Sequence, residues 1–254
     1  MSKSTGNVVN PFFALSRFGV DPMRFYLAHD GGTSDDSDYS NYFIIERYRK
    51  ALQGGLGNLA SRLLRGKRWS VPRAIKRFHA GELGHPSPEG ASASSEDPQN
   101  WPTEERAMWS TLVSTPLDAR NCYDELDVSG ACKATLKLIY ATNAYLQAAA
   151  PWTPKQMNST PVATQPFSLE YSPLIELDRT IFLCAESLRL TAIMFLPVMP
   201  EKMAHLLDML GVAADRRNWH WCEFGKDDTY GERAEHVKLG RGHEGVLFPP
   251  IPDA

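Results

Sequence analysis

Cysteine is scarce. Four thiols, Cys122, Cys132, Cys184 and Cys222, are scattered along 254 residues with no CxxC pair among them. Such dispersal argues against a disulfide framework, suits a reducing compartment and offers no metal-ligand spacing, so buried or inert thiols are expected. Long apolar runs are missing too: nothing approaches the ~20 residues needed to span a bilayer. The first residues show neither a signal-peptide apolar segment nor an Arg-rich amphipathic presequence, so no membrane or targeting segment is expected here. Charge of one sign is also lacking. A formal net charge of -3 gives no global attraction to nucleic acid, and any such contact must come from locally clustered Lys and Arg.

What is present fits a globular chain. Hydrophobic residues make up 43% and charged residues 22% of the sequence, enough for a sizeable core in one or two domains.

The chain opens with Met1-Ser2-Lys3-Ser4-Thr5-Gly6-Asn7, a short cationic loop of the kind that closes over a polyanion such as a triphosphate. Asp21-Pro22 reads as an N-cap with proline at the first helical position. Asp35, Asp36 and Asp38 form an acidic turn without the glycine and glutamate spacing of a calcium loop. From a Ser40 cap, Phe43, Ile44, Tyr48, Leu52, Leu56, Leu59 and Leu63 recur at helical steps, predicting a helix to about Leu64. Gly54, Gly55 and Gly57 within it imply close packing or a bend. Arg62, Arg65, Lys67 and Arg68 crowd its end, complementing the helix dipole and making a local basic patch.

Five prolines and a Gly-Ala-Ser run make residues 70–103 a linker-like insertion. Further helices are predicted from Thr103 towards Tyr123, with Pro116 inside, and from Val128 to Ala149, with Leu136, Ile139, Tyr140, Ala144 and Leu146 buried. A Pro/Thr/Ser-rich loop at 153–172 follows, then helices from Pro173 to Phe195 and from Glu201 to Leu210, the last ended by Gly211. The sum is an all-α bundle of four or five helices. Residues 1–39 form a loop and connector, 40–210 the bundle with its insertion, and 211–254 an irregular tail that docks an apolar stripe on the body.

Three constellations could carry chemistry: the Ser2-Lys3-Ser4 loop, Asn58 with Arg62 one turn later on the same helix face, and Trp152 just past a helix end. Each also has a plain reading, as a tail motif, a solvated polar face and a core plug.

Together they carry a resemblance. Met1–Pro11, continued by Phe18-Gly19-Val20-Asp21 and Arg24-Phe25-Tyr26-Leu27, resembles the KMSKS segment and connector of class I aminoacyl-tRNA synthetases. Gly57-Asn58-Leu59-Ala60-Ser61-Arg62 and Ala150-Pro151-Trp152 are similar to the anticodon-binding elements of the methionyl-tRNA synthetase family, in its bacterial and mitochondrial form. The resemblance implies a helical anticodon-binding domain of class I synthetases behind the KMSKS loop. It implies ATP-dependent charging of tRNA(Met) with methionine, with Lys3 catalytic and Ser2, Lys3 and Ser4 binding the phosphates of ATP, Mg2+ accompanying the nucleotide and no metal site in these residues. Asn58 and Arg62 would read the CAU anticodon, and Trp152 would stack on one of its bases.

The motif's first lysine, a HIGH-type signature and a Rossmann pattern are not found in these 254 residues. The resemblance therefore implies the C-terminal portion of a longer enzyme, a monomer in the mitochondrial matrix or the cytoplasm, with this portion inactive in isolation. Two alternatives stay open: a non-catalytic tRNA-binding module, and a sister class I synthetase for another amino acid. The joint presence of Asn58, Arg62 and Trp152 argues against the second.

Overall fold

Phe182, Leu183, Leu188 and Ile193 point to different sides of the helix predicted from Pro173 to Phe195, and a helix that is apolar all round is stable only when others surround it. A computed structural model, which describes residues 10–31, 39–84, 101–153, 173–239 and 245–251, has this arrangement. From Asp178 to Phe195 every residue of that helix is buried.

All the regular structure among the described residues is helical. The order is α1 (Pro11–Phe18), α2 (Val20–Asp30), α3 (Asn41–Arg47), a π-helical stretch (Tyr48–Gly57), α4 (Asn58–Leu64), α5 (Val71–His79), α6 (Thr103–Asp124), α7 (Val128–Ala149), α8 (Pro173–Phe195) and α9 (Pro200–Leu210). Helices α4, α5, α6, α7 and α9 all touch α8. The all-α class expected from the sequence is the class found, although the helices are more numerous than four or five.

Several local expectations change. The proline-rich reading of 70–103 missed α5, where the Ser70 hydroxyl accepts the Arg73 N–H and Pro72 sits in the first turn, a position that proline favours because its missing N–H has no helical partner there. By the same logic Asn10 caps α1 ahead of Pro11. Asp21 is not the cap of α2: that helix begins at Val20 after Gly19, and Asp21 is buried within its first turn. Ser40 does cap α3, accepting from Tyr42 N–H at 3.2 Å. Tyr140, expected inside, is 47% exposed, and Ala144 is exposed as well, so the buried face of α7 is narrower than the apolar pattern implied.

The π-helical stretch answers the question of the three glycines. The wider turn sets Gly55 against α7, where a Cβ would meet Ile139 and Tyr140 at 3.6 Å, while a Cβ on Gly57 would meet Phe248 at 3.5 Å. Asn143 donates to the Gly55 carbonyl at 3.2 Å and to its own helix at Ile139, tying the two segments together.

The connector is bound into the bundle. Phe25 is fully buried and meets Phe195 edge to face at 5.8 Å. Arg24 donates to the carbonyls of Val198 and Pro197, each at 2.8 Å, occupying acceptors just past the end of α8 that have no helical partner.

The segment after Gly211 docks through buried charge. Glu186 and Arg189 on α8, both fully buried, pair at 2.7 Å. Tyr230 Oη donates to Glu186 at 2.6 Å and the Gly225 N–H at 2.8 Å, while Arg189 donates to the carbonyls of Trp221 and Glu223. A buried ion pair holds only when its remaining hydrogen-bonding capacity is met, and here the tail meets it. Further on, Leu247 and Phe248 are buried, and Tyr48 Oη donates to the Pro249 carbonyl at 2.6 Å.

Candidate nucleic-acid interface

Helix α4 continues directly from the π-helical stretch, whose irregular turn ends as the Asn58 N–H reaches back to the carbonyl of Gln53, five residues earlier. Leu59, Ala60 and Leu63 face the core. Asn58 is exposed and Arg62 partly so, and their spacing of one turn puts them on the outer face together.

Opposite them, α7 ends at Ala149. Ala150 adopts the left-handed conformation, φ 41 and ψ 57, with its N–H closing on the Leu146 carbonyl, and Thr153 N–H donates to Ala150. This tight exit delivers Trp152 beside α4. The ring is half-buried and packs against the main core along part of its surface. The guanidinium of Arg62 lies over it, 4.3 Å from the ring centroid, and Arg62 Nη2 donates to Gln147 Oε1 at 2.8 Å. Arg68 Nη1 donates to the main-chain carbonyl of Trp152. Lys67 and Arg68 are exposed just beyond the end of α4.

The three residues singled out for nucleic-acid recognition are thus presented at one corner, with Arg62 and Trp152 in direct contact. A partly exposed indole, a guanidinium and an amide beside surplus positive charge can stack on an unpaired base, donate to base edges and neutralise phosphates. Ser2, Lys3 and Ser4 lie outside the described residues. Gln147 escaped the sequence reading: a lone glutamine near the exposed end of a helix carries no signal until its partner is seen. Arg68 was legible only as one member of the basic patch.

The cysteines take no part. Cys132, Cys184 and Cys222 are buried, and burial pushes each thiol up to about 12, which leaves them protonated and unreactive at neutral pH.

Comparison with known proteins gives this corner its context. The family pattern described as tRNA synthetases class I (M) matches residues 1–64. A probable mitochondrial methionine–tRNA ligase of Neurospora crassa is 38% identical over the whole chain, which spans 36% of that protein. The methionine–tRNA ligase of Caldanaerobacter subterraneus is 28% identical over 99% of the chain and 33% of its own length.

The chain belongs to the methionyl-tRNA synthetase family.

It corresponds to the C-terminal part of these synthetases and spans about a third of the length of the two curated relatives. The solved structure of Mycobacterium tuberculosis methionyl-tRNA synthetase in complex with methionyl-adenylate matches 98% of the chain with a TM-score of 0.70 at 24% identity. The helical arrangement described above is therefore a fold this synthetase family uses.

Proposed function

We propose that this chain is the anticodon-reading portion of a methionine–tRNA ligase, an enzyme that activates methionine with ATP as methionyl adenylate and transfers it to tRNA(Met). The observation that carries the reading is the stacking of Arg62 on Trp152 at 4.3 Å, at a corner shared with Asn58, in a chain related along its whole length to a methionine–tRNA ligase.

In this reading Trp152 offers a ring face to an anticodon base, and Asn58 and Arg62 hydrogen-bond to base edges. Lys67 and Arg68 meet the loop's phosphates. Single-stranded loop bases are recognised in this manner, by aromatic stacking with hydrogen bonds to exposed edges. Ser2, Lys3 and Ser4 bind the phosphates of ATP, accompanied by Mg2+, with Lys3 stabilising charge as pyrophosphate leaves. That role follows from the KMSKS resemblance and the match over residues 1–64. The chain acts as a monomer, and the Neurospora crassa relative's name points to mitochondria as its compartment.

Fluorescence anisotropy with the 254-residue chain tests the anticodon role. A stem-loop bearing CAU is expected to bind more tightly than the same stem with the three bases permuted. Equal affinities would remove the reading.

A further inference from the structure

Arg62 is a long, flexible side chain at a partly exposed position, and stacking on an indole at such a site is too weak to hold it in one place. The structure supplies a second restraint. Gln147, on the last turn of α7, accepts from Arg62 Nη2 at 2.8 Å while the guanidinium covers the Trp152 ring at 4.3 Å. The acceptor and the ring grip the same planar group from two directions, and both are carried by one rigid unit, the end of α7 and its left-handed exit at Ala150. A charge-assisted hydrogen bond to a planar fork sets orientation as well as distance.

The choice of an amide is informative. A carboxylate here would hold the guanidinium more strongly but cancel the charge it needs towards RNA. An amide oxygen orients the cation and leaves its charge intact.

We propose that Gln147 is a positioning residue that fixes Arg62 over Trp152, so that the guanidinium and the exposed part of the indole are presented together to the anticodon loop and the pair is specific for the cognate anticodon. This rests on the anticodon reading given above. Gln147 acts through Arg62, so its effect appears in discrimination between loops and not in general affinity for RNA.

The test is a binding cycle on the full 254-residue chain with CAU and permuted-anticodon stem-loops. Gln147→Met keeps the side-chain length and removes the acceptor. It is expected to weaken CAU binding roughly three- to tenfold, the scale of one hydrogen bond, with binding of the permuted loop and the melting temperature unchanged. Gln147→Glu retains an acceptor but is expected to weaken both loops through its charge. Added to Arg62→Ala, Gln147→Met is expected to produce no further loss. The inference is overturned if Gln147→Met binds the CAU loop like the parent, if it weakens both loops equally, or if its effect persists in the Arg62→Ala background. A parent chain that fails to distinguish the two loops would instead overturn the anticodon reading, and this inference with it.

Discussion

The carboxylate of Asp21 accepts the backbone N–H of Lys202 at 2.6 Å, so a residue of the connector caps the first turn of α9 from 181 residues away in sequence. Helix N-termini leave N–H groups without partners, and Met199, at the N-cap position, makes no side-chain cap. The long-range cap fixes the connector against α9 just as Arg24 fixes it at the end of α8.

Asp21→Ala is therefore expected to destabilise the chain by about 2 kcal/mol, the cost of losing a cap at a buried site. For a chain of this size that lowers the melting temperature by roughly 4–8 °C. Circular dichroism melts check this, and an unchanged Tm would show that the cap contributes nothing.

Removing one member of the Glu186–Arg189 pair leaves the other charged and buried. Glu186→Ala is expected to cost about 3–5 kcal/mol and to release the segment from Trp221 to Tyr230, read as a lower urea midpoint with faster hydrogen exchange there. Tyr230→Phe removes one hydrogen bond and is expected to cost only about 1 kcal/mol. Equal costs for the two would contradict the ranking.

The legible part of the fold was the part governed by local rules. The helix after Val128 and the helix to Phe195 announced themselves through apolar periodicity and flanking prolines, and Gly211 ended α9 in the left-handed conformation as a C-terminal glycine does. Helix α5 was hidden because Pro72 looks the same in a linker and in a first turn. The π-helical stretch was hidden because its wider turn is set by packing against Ile139 and Asn143 on α7. Glu186 and Arg189 gave no warning of being buried, since their partners arrive from the tail. At the candidate site the types and spacing of Asn58, Arg62 and Trp152 were readable, but the contact between Arg62 and Trp152 is made by the αL exit at Ala150, a feature no local pattern declares.

Acid should loosen the junction of α2 with the bundle. His29 is buried at the end of α2, where Ser129 Oγ donates to its carbonyl. Burial holds its imidazole below the ordinary 6.5, outweighing the opposing pull of Asp30, with Arg47 and Lys133 also disfavouring the charged form. The unfolded chain then takes up this proton more readily than the folded one, so the contribution is complete above about pH 6.5 and shrinks as pH falls below it. The Asp30 carboxyl is held below its usual 3.8, because hydrogen bonds and charge from Arg47 and His29 outweigh its burial, and its contribution is lost only at still lower pH. Melting temperatures taken from about pH 7.5 to about pH 5.5 should fall, and His29→Gln should fall less steeply. His205, also lowered by burial, supplies part of the remaining slope. An identical slope in His29→Gln would exclude the His29 assignment.

The 254 residues hold no HIGH-type signature. Purified alone, they are expected to give no methionine-dependent exchange of pyrophosphate into ATP, and turnover in that assay would contradict the assignment of these residues to the C-terminal portion.

The most direct measurement of the central claim is the affinity of the chain for CAU and permuted-anticodon stem-loops with and without the Trp152 ring. Stacking of one base on an aromatic side chain contributes ~1–3 kcal/mol, so Trp152→Ala is expected to weaken CAU binding by about five- to 150-fold and to bring it close to the permuted loop. An intact chain that binds both loops alike, or a Trp152→Ala variant that still prefers CAU by the full margin, would contradict the account.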